Sequence, residues 1–123
     1  MGPKGSVKLQ REVGDMRKGE PSATNQDLEQ LATLFRLLSD KTRLNILVLL
    51  NDGEYSVGEI CRTLHLPQPT ASHHLGLLRM NNVTDCRRAG KQVFYSLTGR
   101  RNDGADLLAM ECHKFSIRVT AKL

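Results

Sequence analysis

The stretch "LHLPQPTASHHLGLLRM", Leu64 to Met80, gathers Gln68, Thr70, Ser72 and His73 into six consecutive positions and follows them with leucines. Each of those side chains suits the edge of a base pair. A glutamine amide pairs bidentately with adenine, hydroxyls reach a base edge or a phosphate, and an imidazole donates to a guanine acceptor or a phosphate. Ala71, Leu75 and Leu78 fall at i, i+4 and i+7 of the same stretch, so a helix here would turn one face inward and leave the polar one outward. Cations follow closely: Arg79, Arg87, Arg88, Lys91, Arg100 and Arg101 lie within 23 residues that hold one carboxylate, Asp85.

These residues need elements to hold them. From Asp27, Leu28, Leu31, Leu34, Phe35 and Leu38 recur at three- and four-residue spacing, which predicts an amphipathic helix to about Ser39. Asp40 caps a second helix, apolar on most sides through Leu44, Ile46, Leu47, Val48, Leu49 and Leu50, until "NDG" stops it. Ser56 and Glu59 have capping-box spacing, so a short third helix starts there with Val57, Ile60, Cys61 and Leu64 on its apolar face. The fourth helix runs from about Gln68 to Asn81, with Pro69 tolerated in its first turn. "VTDCR" and "QVFYSL" flank the turn "RAGK" as a β-hairpin. A last helix is expected from Asp103 to about Arg118, with Leu108, Cys112, Phe115 and Val119 on one face.

Two short helices joined by a tight turn, the second opening on polar residues, make a helix-turn-helix, whose second helix enters the DNA major groove. A basic hairpin directly after it acts as a wing against the flanking phosphates. The expected fold is therefore mainly α, a winged helix-turn-helix of five helices plus a two-stranded wing. Gln68, Thr70, Ser72 and His73 are assigned to base readout, and Arg79, Arg87, Arg88 and Lys91 to phosphates.

Bulk properties agree with that assignment. At 123 residues the chain makes one small domain with a modest core and little room for a buried enzyme pocket. A formal charge of +5 favours a polyanionic partner. Residues 1–24, rich in Gly, Pro and scattered charge, read as a flexible basic arm, and 25–123 as the winged-helix DNA-binding domain, which the resemblance described below also makes the dimerisation domain. No apolar window approaches the roughly 18 residues of a membrane span, and Cys61, Cys86 and Cys112 form no CxxC, so a reduced, cytoplasmic protein is expected. Adjacent helical residues point about 100° apart, so His73 and His74 cannot chelate one ion. With no nucleophile–base constellation, phosphate loop or zinc motif, no enzyme is expected.

The same motifs resemble the ArsR/SmtB winged-helix repressors. "LSDKTRLNILVLL" is similar to that family's "LSDPTRLRILxLL", "LPQPTASHHLGLLR" to its "LSQPTVSHHLKxLR", and "RRAGKQVFYSL" to its "RREGRxVYYSL" wing. The resemblance covers about Leu28 to Leu97. It implies a homodimer joined through its first and last helices, bound to a roughly palindromic operator and released by an inducer. Departures are also visible: Pro67 replaces a common Ser and removes a side-chain N-cap, Lys41 replaces a common Pro, and Gly76 replaces a common Lys.

The family's sensor patterns are incomplete here. "EYSVGEIC" aligns with the thiolate motif "ELCVCDLC" but keeps Cys61 alone, which does not make a soft-metal site. The last-helix zinc spacing is missing, leaving Asp106, Glu111 and His113 as weak metal candidates, and no cofactor is expected. For a thiol switch, Cys112 matches one family position while Val48 occupies the other. Cys86, beside Arg87 and Arg88, has surroundings that favour thiolate if exposed. The alternatives to a DNA-binding repressor are a winged-helix protein-interaction module without DNA binding and a metal- or thiol-responsive sensor using a non-standard site.

Overall fold

The computed structural model describes residues 23–101 and 104–122. The expected arm falls outside the described residues except at its last two positions. The chain divides into two units, Met1–Thr33 and Leu34–Leu123. The first contributes the opening of α1 (Asn25–Leu38), where Thr24 and Asp27 cap each other reciprocally: the Asp27 amide donates to Thr24 Oγ1 and the Thr24 amide to Asp27 Oδ2, both at 3.0 Å.

The second unit holds the remaining elements: α2 (Lys41–Leu50), β1 (Tyr55–Ser56), α3 (Val57–Leu64), α4 (Gln68–Met80), β2 (Thr84–Ala89), β3 (Gln92–Leu97), β4 (Leu108–Cys112) and β5 (Phe115–Val119). Local chemistry sets most boundaries. Asp40 caps α2 by accepting from the Arg43 amide. Ser56 and Glu59 form the full capping box of α3, and the helix ends on His65 in the left-handed region, φ 56°. Pro67 is the N-cap of α4 and supplies no side-chain hydrogen bond, as the missing serine implies.

The core lies where α2, α3 and α4 meet the three-stranded sheet, ordered β1-β3-β2 and antiparallel. Ile46, Leu47, Leu50, Ile60, Ala71, Leu75, Leu78 and Val83 are fully buried there. Burying a Leu or Ile side chain contributes about 1.5–3 kcal/mol, so this cluster fixes how α4 sits against the sheet. Strand β1, two residues long, was not expected. It pairs Tyr55 with Tyr95 and Ser56 with Phe94, so the hairpin is anchored to the residue that caps α3. Gly90 and Lys91 form the two-residue turn between β2 and β3, with Gly90 at φ 63°, a conformation that favours glycine.

The described residues do not form the expected last helix. Residues expected to continue it form an antiparallel β4–β5 hairpin, so the described chain has four helices rather than five. The pattern was degenerate: Leu108, Cys112, Phe115 and Val119 share a face at helical spacing, and they also share a face in the hairpin, where Leu108 pairs with Val119 and Cys112 with Phe115. Met110 and Ile117 break the tie. They pair with each other, with Met110 fully buried and Ile117 partly so, and only a period of two puts them on the face of Leu108 and Val119. "FSIRV" alternates apolar and polar residues with β-branched Ile117 and Val119, which favours strand over helix.

Within the second unit this hairpin is held to the ends of α2 and α4 by side-chain hydrogen bonds and to Gly99 by close backbone approach. Asn51, just after α2, donates to the Asp106 carbonyl at 3.1 Å and accepts from the Ala109 amide at 2.9 Å. Cys112 Sγ donates to the Asn82 carbonyl. Gly99, at φ 58°, lets β4 approach so closely that a Cβ there would lie 2.4 Å from the Glu111 carbonyl oxygen.

Candidate nucleic-acid interface

Helix α4 divides as its spacing requires. Ala71, Leu75 and Leu78 are fully buried, while Gln68, Ser72 and His73 are exposed and Thr70 is half-buried. Along one side of its first turns runs an open groove of about 570 Å³, lined by Gln68 and Ser72 of α4, Cys61 and Arg62 of α3, and Lys91 and Tyr95 of the β2–β3 hairpin. The groove brings together two of the four base-readout candidates and one of the four phosphate candidates. Thr70 and His73 belong to the same helix but not to the groove lining.

The remaining cations are not equivalent. Arg79 lines a separate cavity of about 490 Å³ with Gly76, Met80, Thr84 and Asp85. Arg87 is already engaged: its Nε and Nη2 donate to the two Glu54 carboxylate oxygens at 2.7 and 2.8 Å. Its guanidinium carbon lies 4.7 Å from the Phe94 ring centroid. The Glu54 carboxyl is held below its usual value, first by that hydrogen bond and then by the arginine charge, and the Arg87 guanidinium is correspondingly raised. Arg100 donates to the Asn51 carbonyl and Arg101 pairs with Glu111, so the charge density of this segment overstates what is free. Arg79, Arg88 and Lys91 form no ion pair among the described residues.

His74 belongs to the scaffold. Arg43 Nη1 approaches its Nδ1 at 3.3 Å, and because a guanidinium only donates, Nδ1 accepts. Arg43 Nε also donates to the Leu37 carbonyl and its amide to Asp40, so one side chain ties the α1–α2 corner to α4. His73 stands 5.4 Å away from the His74 ring, edge-on and exposed.

The sensor candidates do not converge. Among the described residues no group of three or more His, Cys, Asp or Glu side chains is placed to hold a metal ion. Asp106 accepts from Arg118 and Thr120, Glu111 from Arg101, and His113 Nε2 meets the Asn81 carbonyl at 3.2 Å, so the three are committed to different partners. Cys112 is buried, and burial raises its thiol pKa. Cys61, expected on a buried face, is half-exposed in the groove, and Cys86 is half-exposed on β2 opposite Tyr95. Arg62 and Glu54 escaped the sequence reading. An arginine one residue after Cys61 signals little by itself, and Glu54 gains meaning only through its strand partner.

The profile described as "Bacterial regulatory protein, arsR family" matches residues 40–82, from the cap of α2 to just past α4. The biofilm growth-associated repressor of Xylella fastidiosa is 40% identical over 91 residues, covering 70% of this chain and 80% of that protein. The chain belongs to the arsR family. As an arsR-family protein it is also similar to the arsenical resistance operon repressor of Escherichia coli, 44% identical over 66 residues covering 53% of this chain and 56% of that one. Among solved structures, the transcriptional repressor BigR from Xylella fastidiosa aligns with TM-score 0.55 and 40% identity over 62% of this chain and 82% of its own. A homodimeric winged helix-turn-helix DNA-binding domain from Mycobacterium bovis aligns with TM-score 0.57 and 30% identity over 66% and 75%. The winged helix-turn-helix is therefore the arsR-family architecture here, with a hairpin in place of the expected last helix.

Proposed function

We propose that this arsR-family protein is a sequence-specific double-stranded-DNA-binding transcriptional repressor that acts as a homodimer and is released by an inducer. The observation that carries the reading is the division of α4: its apolar side is sealed in the core while Gln68, Ser72 and His73 project from the other side beside a groove that also receives Lys91. A protein-binding face would instead present Leu, Met or aromatic residues there, which disfavours an interaction module without DNA binding. Gln68, Thr70, Ser72 and His73 read bases; Arg79, Arg88 and Lys91, which have no carboxylate partner among the described residues, neutralise phosphates.

The relatives are named as repressors, which supports the regulatory role and gives no support to an enzymatic one. Among the described residues no helix is long and apolar enough to cross a membrane, in keeping with action on DNA in the cytoplasm. The reading requires no cofactor. Dimerisation is assigned to α1, where Leu28, Leu31, Phe35 and Leu38 recur at three- and four-residue spacing, with Leu28 and Phe35 42% and 60% exposed. The homodimeric Mycobacterium bovis relative supports the assembly. The other half of the expected interface, a last helix, is replaced by the β4–β5 hairpin.

The test is fluorescence anisotropy with labelled duplex. Arg88→Ala should lower the dependence of log affinity on log salt by about one unit, while Gln68→Ala should relax preference at one base position, where a bidentate pair is worth about 1–3 kcal/mol. An unchanged salt slope for Arg88→Ala would remove that residue from the phosphate contacts.

A further inference from the structure

Consecutive residues of a strand point to opposite faces, and Arg87 and Arg88 are consecutive in β2. Arg88 pairs with Val93 and Cys86 with Tyr95, so Arg88 shares the sheet face of Val93 and Tyr95, both of which line the groove beside α4. Arg87 pairs with Phe94, on the other face. There it crosses the middle strand over the Phe94 ring and ends on both oxygens of Glu54, the residue before β1. The neighbouring arginines thus lie on opposite faces with different partners.

We propose that Arg87 and Glu54 form a latch that fixes the wing against the helix-turn-helix, making Arg87 a positioning residue and Arg88 the phosphate-contacting arginine of β2. The proposal deepens the DNA-binding reading and rests on it for its consequence, though the latch itself exists without DNA. The route of force is short: Glu54 adjoins Tyr55 and Ser56, which pair with Tyr95 and Phe94, and Ser56 caps α3. Holding β2 to Glu54 therefore sets the angle of the hairpin to the groove that α3 and α4 share with it. A planar bidentate fork stacked on a ring has two of its five N–H donors on Glu54 and the whole group held in one orientation. For Arg87 to turn its Nε/Nη2 edge to a phosphate it would have to leave Glu54.

Four variants separate the two roles: Arg87→Ala, Arg88→Ala, Glu54→Ala, and the charge swap Glu54→Arg with Arg87→Glu. Each is titrated across salt concentrations onto a labelled duplex from upstream of the protein's own gene. Each is also followed without DNA by amide hydrogen exchange of β2 and β3. The latch predicts that Arg87→Ala and Glu54→Ala weaken DNA binding to a similar extent, about two- to fivefold for an exposed pair, with the salt slope unchanged. Both should speed β2 and β3 exchange, and the swap should restore binding and exchange together. Arg88→Ala should lower the slope by about one unit and leave exchange unchanged.

The opposite pattern overturns the latch: Arg87→Ala lowering the slope, Glu54→Ala strengthening binding by freeing a cation, and the swap failing to rescue. Exchange unaltered in Arg87→Ala and Glu54→Ala would overturn it as well. If the wild-type protein bound no duplex, the DNA reading would fail while the exchange data still decided the latch.

Discussion

Single side chains in this molecule have divided duties that residue type alone does not reveal. The cysteines are one case. Cys112 is buried, donates to the Asn82 carbonyl, and has its thiol pKa raised by burial, so it stays protonated near neutral pH. Cys61 and Cys86 are half-exposed. Iodoacetamide should therefore modify Cys61 and Cys86 in the native protein well before Cys112, as read by mass spectrometry over time. Equal labelling of all three would show that the C-terminal hairpin opens readily. Asp40 gives a prediction in acid. Its carboxyl pKa is lowered, mainly by the hydrogen bond from the Arg43 amide, with burial opposing and the charges of Arg43 and His74 assisting. A group with a depressed folded pKa stabilises fully above its unfolded value and loses that contribution as pH falls through the lowered one. Asp40→Asn should flatten the acid limb of stability against pH below about 4, as measured by thermal melting. An unaltered limb would assign acid sensitivity to other carboxylates.

At the scale of elements, much of the chain was legible because local and global signals agree. The Asp40 cap, the Ser56–Glu59 box, the uncapped Pro67 start of α4 and the β2–β3 hairpin each rest on residues whose chemistry admits few alternatives. The last helix misled because Leu108, Cys112, Phe115 and Val119 satisfy both periods, and only Met110 and Ile117 distinguish them. The candidate site was legible as a helix face but not as a set of free charges. Nothing in the spacing reveals that Glu54 occupies Arg87 or that Glu111 occupies Arg101. Two substitutions probe these elements. Ser56→Ala should cost about 1 kcal/mol by removing the α3 cap. Asn51→Ala should cost about 1–3 kcal/mol, because it leaves the Ala109 amide and Asp106 carbonyl without their partner. Both are measured by urea denaturation. If Asn51→Ala matched the wild type, the hairpin would not depend on that bracket.

For the whole molecule, the question is whether this small basic chain works as a pair. In the proposed reading one α4 spans one half-site, and a two-fold dimer doubles both readout and phosphate contacts. Phe35, exposed on α1, is the side chain through which that pairing is most open to test. Phe35→Glu should shift sedimentation from dimer to monomer and weaken operator binding together, while leaving the fold measured by circular dichroism in place. Losing binding without losing the dimer would separate the two properties. The hairpin that stands in place of the expected last helix is tied to Asn51, Asn81 and Asn82, at the ends of α2 and α4. The proposed reading puts α4 and the wing on a specific duplex. Its most direct test is an anisotropy titration of the reduced protein onto duplex from upstream of its own gene, beside a scrambled duplex, at several salt concentrations. Tighter binding to the native duplex with a steep salt slope is the expected result; equal binding to both, or none, would contradict it.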